Sequence, residues 1–305
     1  MSIRRGWSLG ILSYILMGIN PPLAKWLLDN GMAPASLLSA RFIIGSIIFF
    51  IFLASTQFAI PQNGERPLDQ KGAKFAILAG LLNGINLIFY FTSLLYLSAS
   101  ITSVLAGAQY LVFTILFLTI LGERLTRLKI LRLGLGLAGI YFLVDPVGSE
   151  TINLWGLLLV TGAALTFTLQ LIIVQYYLRP YNIWRVSQIM VTSATLLPLG
   201  LWLFQGVQAG ELATFVPGIL GWLFIFILAF FSTFLARWSQ FSATTSIGSG
   251  EMALLSPLGT AVILLIAFLL LGEMLTVSQW MGTAIVTLAV ALAGFAPKPQ
   301  LAVAK

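Results

Sequence analysis

The chain has 305 residues, 59% of them hydrophobic and 8% charged, with a mean hydropathy of +1.01 and neither Cys nor His. So little polar surface cannot coat a water-soluble globule of this length; without thiol or imidazole, thiolate nucleophiles, disulfides, soft-metal centres and imidazole relays are excluded. The net charge of +7 would suit nucleic acid, but the cations lie in short loops between apolar runs, where a bilayer explains them better.

A helix needs about 20 apolar residues to cross a hydrocarbon layer roughly 30 Å thick. Ten runs are expected to do so: 7–28, 35–55, 73–95, 100–121, 128–144, 154–178, 183–205, 218–240, 246–271 and 277–296. The first follows Arg4 and Arg5 like a signal peptide, but its apolar stretch is too long and lacks a small-residue cleavage site, so it reads as a retained helix. It carries Asn20-Pro21-Pro22, a site of packing or bending, and Lys25, close enough to the end to snorkel.

Span two places Arg41 about 10 Å inside the membrane at 1.5 Å per residue. A buried cation there costs ~3 kcal/mol on insertion scales, so Arg41 either faces a solute path or pairs with Asp29. The segment 56–72 reads as a flexible connector. Span three carries Asn83, Asn86 and Tyr90 at i, i+3, i+7, one helical face. Span four presents Ser103, Gly107, Tyr110 and Thr114, and span six adds Thr166 and Gln170. Span eight carries Thr233, Arg237 and Gln240 at i, i+4, i+7, with Trp238 adjacent; Arg237 reads as an anchor near the inner end or a contact for an anionic solute. In span nine Ala253, Pro257 and Thr260 correspond to the small face of span four, and Gly107 and Pro257 mark a hinge, a binding wall or plain packing. Polar groups within spans serve as interhelical glue or face a cavity. No acid falls mid-span; Glu251, expected in an inner vestibule, is the one plausible titrating group.

Leu121-Gly122-Glu123 and Leu271-Gly272-Glu273 recur 150 residues apart, each ahead of Leu-Thr and each closing an apolar run. This is the mark of a duplication, with repeats at 1–146 and 147–305. The offset sets Asn83 on Thr233 and Tyr90 on Gln240, so the two polar stripes correspond. Glu123 and Glu273 themselves read as loop-backbone acceptors or ion-pair partners. Lys and Arg crowd alternate loops, which puts both termini in the cytoplasm; five spans per repeat then invert the second half relative to the first. The expected fold is an all-α integral membrane protein of two inverted five-helix repeats around a central cavity. Spans three, four, eight and nine, with one and six, line it, two and seven lie outside, and five and ten are packing or homodimer helices.

Ser98-Ala99-Ser100-Ile101-Thr102-Ser103 running on to Leu121-Gly122-Glu123-Arg124-Leu125-Thr126, and Ala243-Thr244-Thr245-Ser246-Ile247-Gly248-Ser249 leading to Leu255-Ser256-Pro257-Leu258, resemble the drug/metabolite transporter superfamily of EamA type. Gly18 and Pro34 followed by Arg41-Phe42 are similar to that family's first two helices, and the resemblance covers nearly the whole chain. It departs at Gly107, where the second copy has Pro257, and at Asn20-Pro21-Pro22, where the family reads Gly and small polar residues. The resemblance implies solute export or exchange in a bacterial inner membrane.

The expected solute is an amino acid or related zwitterion or carboxylate, handled without cofactor or metal, as a uniporter running down the solute gradient. A nucleotide-sugar or phosphorylated-sugar exchanger shares the architecture but needs several converging cations. An intramembrane enzyme would need a nucleophile with a base, and a channel would not saturate at low solute levels.

Overall fold

The structure, a computed structural model, describes residues 3–56, 65–97, 99–122, 126–144, 153–209, 218–271 and 276–292. Their regular elements are helices: α1 (Ile3–Gly18), α2 (Asn20–Asp29), α3 (Pro34–Ser55), α4 (Gln70–Ser93), α5 (Ala99–Ile120), α6 (Arg127–Val144), α7 (Leu154–Ile173), α8 (Ile183–Ala209), α9 (Gly218–Ile227), α10 (Ala236–Ile247), α11 (Ser249–Leu254), α12 (Ser256–Leu271) and α13 (Val277–Ala291). Two π-wound segments, Val174–Leu178 and Leu228–Leu235, extend α7 and join α9 to α10.

Among the described residues seven helices are long and apolar enough to cross a membrane: Arg4–Asp29, Pro34–Ser55, Gln70–Ser93, Ile101–Ile120, Leu154–Leu178, Ile183–Val207 and Gly218–Ile247. The other three expected spans coincide with shorter helices. α6 has 18 residues and carries Arg127, Lys129 and Arg132, while α12 and α13 have 16 and 15 residues. The Leu-Gly-Glu acids Glu123 and Glu273 lie outside the described residues.

Two spans expected to be continuous are broken. Pro21 and Pro22 lack the N–H that would continue the α1 ladder, so the helix interrupts at Ile19 and restarts as α2 with proline in its first turn, where no donor is needed. Gly248 adopts φ +90°, a backbone shape that suits glycine alone, and isolates the six-residue α11 from α10. Pro257, expected as a hinge inside a helix, instead sits in the first turn of α12, and the break precedes it at Leu255.

α4 packs on α7 and α8, α1 on α10, α3 on α8 and the second π segment, α5 on α7 and α12, and α6 on α13. Exchanging each helix for its mate 150 residues away turns the α4–α7 pair into the α10–α1 pair and maps α6–α13 onto itself. The duplication is thus written in the packing as well as in the sequence. α4 and α8 approach so closely that a Cβ on Gly80 would meet Ser193 Oγ and the Met190 backbone. Backbone cannot yield as a flexible side chain can, so Gly80→Ala is expected to cost about 1–3 kcal/mol, read as a lower melting temperature in detergent. Gly134→Ala, with nothing within 4 Å of its added Cβ, should melt like the parent.

The connector between α3 and α4 is not free along its whole length. The Arg66 N–H donates to Pro180 O (2.8 Å), Asn182 Nδ2 donates to Glu65 Oε2 (2.7 Å), and Tyr181 Oη donates to Asp69 Oδ1 (2.8 Å). Residues 65–69 are therefore pinned to the α7–α8 turn, and 57–64 lie outside the described residues. Asp69 also caps α4, accepting from the Gly72 N–H at 2.6 Å. That N–H first, and the Tyr181 hydroxyl second, hold its carboxyl below the usual carboxylate range. Because the folded-state pKa is the lower one, this stabilisation is full above the usual range and is lost as pH falls below it, through the depressed folded-state value. Asp69→Asn keeps an acceptor but should flatten the acid limb of a melting-temperature profile; Asp69→Ala should also lower the plateau near neutrality.

Candidate functional site

Between the helices lies a cavity of about 150 Å³. Its wall takes Tyr14, Met17 and Gly18 from α1, Asn20 and Pro21 from α2, Asn86, Leu87 and Tyr90 from α4, and Ser103, Ala106, Gly107 and Tyr110 from α5. Ala164 and Phe167 of α7, Ser232 of the second π segment, Arg237 of α10, and Ser256, Gly259, Thr260 and Ile263 of α12 complete it. On α4 these positions fall in the half that ends beside α2, where Lys25 Nζ donates to Leu94 O, and on α12 in the half that follows α11. The described lining is apolar, aromatic and hydroxylic, with one cation and no Asp or Glu.

Of the residues singled out in the sequence, Gly18, Pro21, Asn86, Tyr90, Ser103, Gly107, Tyr110, Arg237 and Thr260 reach this wall. Asn86 Nδ2 is engaged by Ala163 O at 2.8 Å, and Tyr90 Oη shares a 2.8 Å hydrogen bond with Ser103 Oγ. Arg237 is 4% exposed. It donates from Nη1 to Gln240 Oε1 (3.0 Å), its guanidinium carbon lies 5.9 Å from the Phe167 ring centroid, and its Nε meets no partner. The sequence places the end of span eight at 240, with Arg237 near it. The helix instead continues to Ile247, which leaves Arg237 ten residues from its terminus and in the middle of the bundle.

Arg41 lies behind the wall, fully buried. Nη1 donates to Asn20 Oδ1 (2.7 Å), Nε to Thr233 Oγ1 (2.6 Å) and Nη2 to Ser232 Oγ (3.1 Å). The π winding lets the neighbouring hydroxyls of Ser232 and Thr233 reach one guanidinium, and such widened turns recur at functional sites. Asp29, the partner considered from the sequence, pairs with Lys25 at 3.0 Å instead. Arg41 thus ties the restart of α2 to the π segment.

The remaining candidates are off the wall. Trp238 stacks on Trp184 with centroids 4.4 Å apart, and Gln240 Nε2 lies 3.7 Å from Met17 Sδ. Asn83 and Gln170 are fully buried, with no hydrogen-bond partner for any of their amide atoms. Pro22 and Pro257 serve helix starts and are absent from the lining. Sequence reasoning missed Tyr14, Asn20 as a cavity group, Phe167 and Ser232. Of these only Asn20 carried a signal, an amide beside a double proline within an apolar run.

The end of the bundle opposite the α2–α3 turn is closed by α11. Tyr14 Oη donates to Met252 O (2.9 Å), and the Ser249 N–H and hydroxyl both donate to Gln175 Oε1 (2.6 and 2.7 Å). Glu251, expected in an inner vestibule, is 3% exposed and bound to Arg132 Nη1 through Oε2 at 2.6 Å, with Lys129 Nζ 3.9 Å from Oε1. Its place in α11 turns it toward α6, because α11 packs against α5 and α6 rather than continuing α10.

Membrane-length helices thus surround an internal cavity, with the short helix α11 across one end of the bundle. The chain belongs to the EamA-like transporter family, a branch of the drug/metabolite transporter superfamily, whose model matches residues 4–145 and again 154–295. A solved structure titled only "Crystal structure of protein" is similar in fold, with 18% identity and a TM-score of 0.72 over 96% of this chain and 98% of that one. No curated protein matches the chain.

Proposed function

We propose that this transporter exports small carboxylate-bearing metabolites, amino acids and related zwitterions foremost, by alternating access. The observation that carries this reading is Arg237: a buried guanidinium on the wall of an acid-free cavity, with its Nε unpartnered. A guanidinium in a low-dielectric wall favours an anionic group, and a carboxylate fits its forked donors. The aromatic and hydroxyl remainder suits a small, weakly polar body. Asn86, Tyr90, Tyr110 and Arg237 contact the solute, while Arg41, Thr233, Gln240, Trp238, Asn83 and Gln170 shape or extend its path.

Ten spans in two inverted repeats, 1–146 and 147–305, fit both the five-helix arithmetic and the exchange symmetry of the packing. With the termini in the cytoplasm, the α11 end is the cytoplasmic gate, closed here, and the cavity lies toward the outer face. Exchange of phosphorylated sugars is less suited to the site. All three donor nitrogens of Arg41 are spent on protein oxygens, which leaves one cation where a phosphate calls for several.

The test is efflux from liposomes loaded with amino acids, organic acids and nucleotide sugars, followed by mass spectrometry without an ion gradient. Selective, saturable loss of amino acids is the expected result. Retention of every solute until a proton gradient or counter-substrate is supplied would replace uniport by coupled transport or exchange, and selective loss of nucleotide sugars would overturn the substrate class.

A further inference from the structure

Among the described residues Glu251 is the one buried acid, and its partner Arg132 is 1% exposed. Arg132 Nε donates to Ala289 O (3.2 Å), Nη1 holds Glu251, and the guanidinium carbon lies 5.2 Å from the Trp7 ring centroid; Nη2 is buried without a partner. The guanidinium therefore has a donor that its carboxylate leaves unused. The repeat mates of Glu251 and Arg132, 150 residues away, are Ile101 and Gly282, so duplication alone does not require an ion pair to close a gate. A buried pair is seldom better glue than apolar packing, whereas parting one to leave a lone buried charge is strongly unfavourable. Opening the α11 end demands that parting unless another carboxylate takes the vacated place.

We propose that Arg132, with Lys129 beside it, is a receiving site for the carboxylate of an arriving solute at the α11 end, and that Glu251 occupies it as an internal substitute while that end is closed. The inference rests on the reading above that the solute carries a carboxylate. Solute and Glu251 compete for one guanidinium with the same chemistry, so arrival of cargo releases α11, which can swing between Gly248 and Leu255. Glu251 thereby couples gate opening to occupancy, and an empty carrier stays shut on that side.

The chain's lack of Cys permits a direct test. Ser242→Cys, on buried α10 near the closed end, is labelled with a membrane-impermeant maleimide presented to the α11 face of proteoliposomes. Mixed L-amino acids, or their carboxamides, are titrated in. In the parent, amino acids should raise the labelling rate saturably and amides should not. Glu251→Gln should raise the solute-free rate about tenfold and lower the half-effective amino-acid concentration several-fold. Arg132→Gln should also label fast without solute, but its response to amino acids should need at least tenfold more or vanish, and Arg132→Lys should recover part of it.

A merely structural pair would shift both glutamine variants alike in both readouts, which would overturn the proposal. Amides acting as well as acids on the parent would sink the carboxylate reading itself. A parent that answers acids only, with Arg132→Gln equally sensitive, would sink the receiving site alone. Folding is checked by melting curves; should a glutamine variant fail to fold, the Arg132→Lys series decides, since at a receiving site a point charge in place of the fork raises the half-effective concentration and at a structural one it does not.

Discussion

Arg41→Met is expected to be among the most destabilising single changes in the bundle, lowering stability by about 3 kcal/mol or more and transport with it. The loss is not shared evenly among its three partners. Ser232 and Thr233 are hydroxyls that can turn to a helix carbonyl, and Thr233 Oγ1 already lies 3.3 Å from Leu228 O. Asn20 Oδ1 has no neighbouring hydroxyl of its own to turn: it is held to Arg41 at the restart of α2 beside the double proline, and on the cavity side only water could replace that donor. The damage therefore falls on the junction of α1 and α2, which is also cavity wall. Arg41→Lys keeps the charge but can satisfy one oxygen at a time, and should fall between parent and methionine. Thermal melting of the purified protein in detergent reads both; a methionine variant within ~0.5 kcal/mol of the parent would show that the hydrogen bonds do not hold the junction.

Arg237→Gln should separate function from fold. The guanidinium donates to Gln240 and stands against Phe167, so glutamine removes a charge from the cavity without stripping a network. A charge-assisted hydrogen bond is worth about 1.5–3 kcal/mol, which at 1.4 kcal/mol per decade becomes roughly a tenfold to hundredfold rise in the half-saturating concentration of a carboxylate solute. Melting should change little. Counterflow in proteoliposomes with an amino acid and its amide checks the point: the variant should lose its preference for the acid. An unchanged preference would move the anion-selective group elsewhere.

Much of the candidate site was legible in the apolar runs. Asn86, Tyr90 and Tyr110 stood on faces marked by helical spacing, and those faces do meet the cavity. Asn83 shares the Asn86 face, yet one turn further on that face is enclosed rather than open. Spacing gives the direction of a side chain and not its depth along a tilted, closing bundle. Arg237 reads from the sequence as an end anchor or an anion contact, and its depth escaped that reading because a π segment and a longer helix place it inward, and π winding leaves no period in the apolar pattern. Glu251 was recognised as unusual, but nothing in the order of residues showed that Arg132, 119 positions away, would meet it.

Composition and the recurrence at 150 residues determined by themselves that this is a duplicated helical membrane protein, because burial in lipid demands long apolar runs and repeats preserve them; the EamA family entered through the resemblance of its motifs and the family match. Only the tertiary structure decided which cation reaches the cavity, which is consumed in tying helices together, and which end is shut. Those outcomes depend on breaks at Ile19, Gly248 and Leu255 and on widened turns, which set the depth and rotation of each helix. A rotation of one residue, about 100° at 3.6 residues per turn, is enough to move a guanidinium from a solute path to a buried hydrogen-bond network.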